Sequence, residues 1–80
     1  MYQYYITEVR QTGSGEFEHE NYWAYDEDKK KAEQKGYAKY HEVMSRAAVS
    51  TYAKHSAILF ASDATPIIFG SYDHADEAEE

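Results

Sequence analysis

The chain is 80 residues long, carries a formal charge of −7, is 16% aromatic with nine tyrosines, and contains no cysteine. A chain of this length supports one small core, and folding removes only about 60–65% of the surface that the unfolded chain exposes. The lack of cysteine excludes disulfides, thiolate nucleophiles and cysteine-based metal centres and fits a reducing cytoplasm. Met1 to Arg10 hold no basic region followed by an apolar run, and no stretch approaches the roughly 18 apolar residues of a membrane span, so no membrane partner is expected.

In chain order, Tyr2 to Val9 read as a first strand, with Tyr2, Tyr4 and Ile6 on one face and Tyr5, Thr7 and Val9 on the other. Thr12-Gly13-Ser14-Gly15 supplies the glycines of a hairpin loop. Glu16 to Ala24 read as a second strand, placing Phe17, His19, Asn21 and Trp23 opposite Glu18, Glu20, Tyr22 and Ala24. Its charge predicts an edge position, where unwanted pairing is discouraged. One long helix is then expected from Asp26 to about Thr51, with Asp26 accepting from its first amides. Its inner stripe reads Ala32, Gly36, Tyr40, Val43, Met44, Ala47, Ala48 and Thr51. Lys31, Lys35, Lys39, Glu42 and Arg46 form its outer face. Gly36 costs about 1 kcal/mol relative to alanine within a helix, which close approach of the helix backbone to the sheet or a ring would offset. Tyr52 to His55 read as a connector. Ser56 to Ser62 and Ile67 to Tyr72 read as two further strands, apolar on both faces, around an Asp63-Ala64-Thr65-Pro66 turn. The expected fold is α+β, a four-stranded antiparallel sheet in the order β-β-α-β-β with one helix on one face. It forms a single domain over 1–72, followed by an acidic, disordered tail over 73–80. One helix cannot cover both faces, so a patch of Tyr, Ile and Phe should remain open to a partner or to a second copy.

The charges fall in blocks. Residues 16–28 contain Glu16, Glu18, Glu20, Asp26, Glu27 and Asp28 and no base, 29–54 contain seven bases and two acids, and the tail from Asp73 contains five acids. Little of this points to catalysis or to a cofactor. His41-Glu42 begins like a zinc-protease helix, but Ser45 stands where the second histidine is required. The four histidines show no ligand spacing, so no metal is expected. Glu18 and Glu20 share a strand face as an acid pair would, but a solvated edge is the favoured reading of them. Gly13-Ser14-Gly15 lacks the lysine of a phosphate loop. A non-enzymatic binding protein is therefore expected. Its acidic surface would be Glu16, Glu18, Glu20, Asp26, Glu27 and Asp28, following a basic groove on a partner as phosphates do. Tyr5, Tyr22 and Trp23 would be its aromatic contacts. Two alternatives are a homodimer joined through the open sheet face and single-stranded nucleic-acid binding by Lys31, Lys35, Lys39 and Arg46. The net negative charge opposes the second of these.

Tyr4-Tyr5-Ile6-Thr7, the helical segment from Ala32 to Tyr40 and the closing strands around Asp63 resemble a set of short, mostly uncharacterised proteins of Firmicutes conjugative elements and prophages. The basic triplet Lys29-Lys30-Lys31 and the acidic tail depart from them. The resemblance implies a mobile-element accessory protein in the cytoplasm of a bacterial host. By class it implies an anti-CRISPR-like inhibitor that blocks the nucleic-acid-binding surface of a host defence complex, with a CRISPR effector among the candidate partners.

Overall fold

Alternating aromatic, β-branched and polar residues turn the first third of the chain into a hairpin. In the computed structural model, which describes residues 1–74, β1 (Tyr2–Gln11) pairs antiparallel with β2 (Phe17–Asp26), Tyr2 opposite Asp26 and Gln11 opposite Phe17. Gly15 takes φ +92° in the loop between them, and Thr12 closes it by accepting from Gly15 N (3.0 Å) and donating its own amide to Glu16 O (2.9 Å). Helix α1 (Lys29–Ala48) then crosses the sheet, and a second hairpin of β3 (Lys54–Phe60) and β4 (Pro66–Asp73) follows. The sheet order is β2-β1-β3-β4, so β1 and β3 are central and the charged β2 is an edge. The fold is thus α+β, with a four-stranded antiparallel sheet, one helix and the expected order β-β-α-β-β.

The core is one-sided. Tyr4, Ile6, Ala24, Ala57 and Leu59 project from the sheet onto Ala32, Tyr40 and Val43 of α1. Gly36 makes that contact close: a Cβ at this position would lie 2.9 Å from Tyr4 Cβ and 3.3 Å from Leu59 Cδ1. The close approach expected at Gly36 is therefore present.

Several boundaries move. The helix begins at Lys29 because Asp26 remains paired in β2, and Asp28 serves as N-cap, accepting from Lys30 N (2.9 Å) and Lys31 N (3.2 Å). Asp26 instead accepts from the amide of Asp28 (2.9 Å). The helix ends at Ala48 rather than Thr51, with Val49 as C-cap, because β-branched Val49 and Thr51 and the backbone-competing Ser50 are weak helix formers. Ala48 is exposed, since one step past buried Ala47 turns it about 100° off the stripe. His55 is no connector residue: it is buried within β3. Asp73, placed in the tail by the sequence, closes β4 opposite Lys54, and His74 donates its amide to Ala53 O (2.7 Å). The rest of the expected tail, residues 75–80, lies outside the described residues.

Candidate functional site

The registers of the three strand pairs fix what the sheet displays on the side away from α1. Trp23, Tyr5 and Phe60 stand side by side across β2, β1 and β3, and Thr7, Ile58 and Phe69 form the next row along. The Tyr5 ring stacks on Phe60 at 4.7 Å between centroids and 15° between planes, and lies 5.1 Å from the tilted Trp23 ring. Such ring pairs contribute about 0.5–1.5 kcal/mol each beyond area burial, so the stripe is held in place without a covering layer. Trp23 is nevertheless 51% exposed and Phe69 65%, with Tyr25 and Ile67 also exposed. Among the described residues, Lys54 and Asp73 are the formally charged side chains on this face, and they sit opposite one another. The face is thus close to neutral on a chain of charge −7, its aromatic stripe flanked by uncharged polar residues such as Asn21, Ser56 and Ser71 and by His19.

The other side of the sheet carries a polar cluster at the C-terminal end of the helix. A cavity of about 520 Å³ opens there, lined among others by Glu8, Arg10, Tyr22, Arg46 and His55. Glu8 is 1% exposed and accepts from the Tyr22 hydroxyl (2.7 Å) and from His55 Nε2, while Arg10 Nη1 lies 3.2 Å and Arg46 Nη2 3.6 Å from the same carboxylate. Burial alone would raise the Glu8 carboxyl. The hydrogen bonds from Tyr22 and His55 and the Arg10 charge outweigh it and hold the group below its ordinary range. Burial and the same carboxylate contacts, to Glu8 and Glu20, push the Tyr22 hydroxyl up to about 12.

This cluster joins four elements, and its polar groups are turned largely on one another. A carboxylate only accepts, so His55 donates from Nε2, and its Nδ1 is enclosed and unpartnered rather than presented to a substrate. Ser50, on the cavity wall, uses its Oγ to accept from Tyr52 N (3.1 Å). Among the described residues no group of three or more His, Asp and Glu is placed to hold a metal ion.

The acidic residues singled out from the sequence do not form one row. Glu18 and Glu20 project toward the helix side, where Arg10 Nη2 meets them at 3.6 and 3.2 Å, and Glu18 also accepts from the Tyr52 hydroxyl (3.2 Å). Asp26 is bound by Lys35 Nζ at 2.9 Å, and Asp28 is occupied as the N-cap. Glu16 lies in the hairpin loop and Glu27 in the bend before α1, both exposed. Of the three aromatics, Tyr5 and Trp23 share the open face, whereas Tyr22 lies half-buried on the opposite face beneath Lys39, whose Nζ is 4.8 Å from its ring centroid. The reason is strand alternation: Tyr22 is one residue from Trp23 and must point the other way.

Sequence reasoning missed the Glu8–His55 pair. The signal was present, because Glu8 continues the buried alternation of Tyr4 and Ile6, and His55 that of Ala57 and Leu59. A charge on a buried face requires partners. No helix among the described residues is long and apolar enough to cross a membrane. In comparisons with protein-family models, curated proteins and solved structures, nothing matches this chain.

Proposed function

We propose that this protein acts by binding rather than by catalysis, and that it engages a protein partner through the open face of its sheet. One observation carries the reading: Trp23, Tyr5, Phe60, Ile58 and Phe69 form a continuous apolar stripe across all four strands, with Trp23 and Phe69 more than half exposed. Large aromatic side chains of few rotamers are what binding hot spots are made from. Contiguous apolar patches on soluble domains mark interaction sites. The neutrality of the face turns the preference from nucleic acid to protein, because Lys54 is its one lysine or arginine among the described residues.

The inhibitor reading, in which a row of carboxylates occupies a basic groove, draws less support. Glu18, Glu20, Asp26 and Asp28 each meet a partner within the molecule, Glu18 and Glu20 while about half exposed, and Glu16 and Glu27 are exposed to either side of β2. Glu16→Lys with Glu27→Lys tests that reading without disturbing the internal pairs.

The open-face reading is tested by placing a photo-crosslinking amino acid at Phe69, and separately at exposed Gln34 on the helix, in the full chain expressed in cells. Protein adducts from position 69 and not from 34 are expected. Adducts from 34 alone, or none from 69, would rule out the open face.

A further inference from the structure

We infer that the occupant of the open face is a second copy of this chain, seated face to face in a two-fold dimer. This rests on the open-face reading above and goes further by naming the partner. Three features of the molecule favour a like copy over other occupants.

The first is charge. A two-fold contact sets a patch against itself, so a charged patch would repel its own image. Here a chain of charge −7 keeps one lysine and one aspartate, opposite each other at the β3–β4 end, on this face among its described residues. A basic partner would find one aspartate, set beside a lysine, and a nucleic acid no cationic track. The second is composition. Residues 75–80 contain only Ala, Asp and Glu, so that segment brings no apolar side chain larger than alanine to lay over an aromatic stripe. The third is size. Four strands about 4.8 Å apart and about seven residues long give a footprint of roughly 400 Å² per copy. With the relief of its side chains this reaches the lower end of specific interfaces, which lies near 600 Å² per partner. Two such faces stack about 10 Å apart as in a sandwich, burying Trp23 and Phe69 against their counterparts. Area does not fix affinity, but an interface at that lower end belongs with reversible rather than permanent contacts, and a Kd on the order of micromolar is expected.

Salt gives a diagnostic sign. The contact itself is apolar while the two bodies repel at long range, so screening should tighten the dimer, the opposite of an acidic surface binding a basic one. Sedimentation velocity on the full chain from about 1 to about 500 µM, at low salt and at about 0.5 M NaCl, measures this directly. A monomer–dimer equilibrium is expected, with Kd falling about fivefold at high salt. Trp23 is the single tryptophan and lies on the face, so its emission should shift to the red on dilution with the same midpoint. Trp23→Ser with Phe69→Ser should weaken association about tenfold or more. Both side chains are largely exposed, and an unchanged urea midpoint would show that the variant remains folded. Should that variant unfold, Phe69→Lys alone serves in its place, because it sets like charges across the interface.

Three outcomes overturn the inference. They are a monomer throughout the range, a dimer weakened by salt, and a dimer that the folded face variants leave intact. A monomeric chain that still gives crosslinks from position 69 to other proteins overturns the second copy alone. Loss of those crosslinks overturns the open-face reading with it.

Discussion

Glu8 shows how much one buried carboxylate can organise in a small domain. It accepts from His55 on β3 and Tyr22 on β2, with Arg10 on β1 and Arg46 on α1 close by, so each element it touches gains a contact that depends on its charge. Glu8→Gln puts an amide donor among groups that are themselves donors and is expected to lower stability by about 3 kcal/mol at neutral pH, measured by urea denaturation. The pH dependence has a definite sign. The folded carboxyl titrates below its ordinary value, so the unfolded chain binds the extra proton as acid is added. The stabilisation is complete above the usual glutamate pKa of about 4.3 and is lost as pH falls from there through the lower folded value. The gap between wild type and Glu8→Gln should therefore narrow in acid; a gap that stays constant would remove Glu8 from the account. Gly36 is the second such residue. Alanine gains about 1 kcal/mol of helix propensity there. Its Cβ, however, would fall 2.9 Å from Tyr4 Cβ, an atom fixed to the β1 backbone. The overlap should win, giving a net loss of about 1–2 kcal/mol in the same assay.

At the scale of elements, some features were legible in the sequence and others were not, for physical reasons. A glycine on an apolar helical stripe announces close packing, and acids on a strand announce an edge, because each is a local pattern with one ready explanation. The helix start was less legible, since Asp26, Glu27 and Asp28 are all competent at a helix N-terminus and only the pairing of Tyr2 with Asp26 decides among them. That decision is open to a direct check. Asp28→Ala removes the acceptor for Lys30 N and Lys31 N and should cost about 1 kcal/mol, seen as a lower thermal midpoint by circular dichroism. Asp26→Ala instead loses the Lys35 pair and the Asp28 amide contact, without touching those two amides. The polar cluster was illegible for a different reason. Glu8 and His55 are 47 positions apart, and their meeting depends on the register of β1 with β3, which no local pattern specifies. The open face lies between these cases. Its existence follows from one helix on a four-stranded sheet, but the alignment of Trp23 with Tyr5 and Phe60 is again a matter of register.

Across the whole molecule, the blocks of charge that divide the sequence turn out to be complementary. The acids of β2 that face the helix, Glu18, Glu20 and Asp26, meet Arg10 from β1 and Lys35 from α1, and Arg46 of α1 reaches Tyr22 (3.1 Å) and Glu8. Lys39 lies over the Tyr22 ring and pairs with Glu42 (3.0 Å). Charges that would look like a surface for a basic partner, if read along the chain, therefore help to hold hairpin and helix together, while the sheet face with almost no charge stays open. Neutralising the helix side of this arrangement separates the two roles. Lys35→Gln, Lys39→Gln and Arg46→Gln together take the formal charge from −7 to −10. These cations are partly exposed, so each pair contributes modestly, and a combined loss of about 1–2 kcal/mol is expected. The salt response is the sharper readout. In the variant, Glu8, Asp26 and Glu42 each lose a cation partner, so added NaCl should raise its thermal midpoint clearly more than that of the wild type. The dimer proposed above, placed on Trp23, Tyr5, Phe60 and Phe69 on the far side of the sheet, should keep its dependence on those side chains in the same variant. A loss of stability without that extra salt response would mean that the helix cations act through their packing stems rather than their charge.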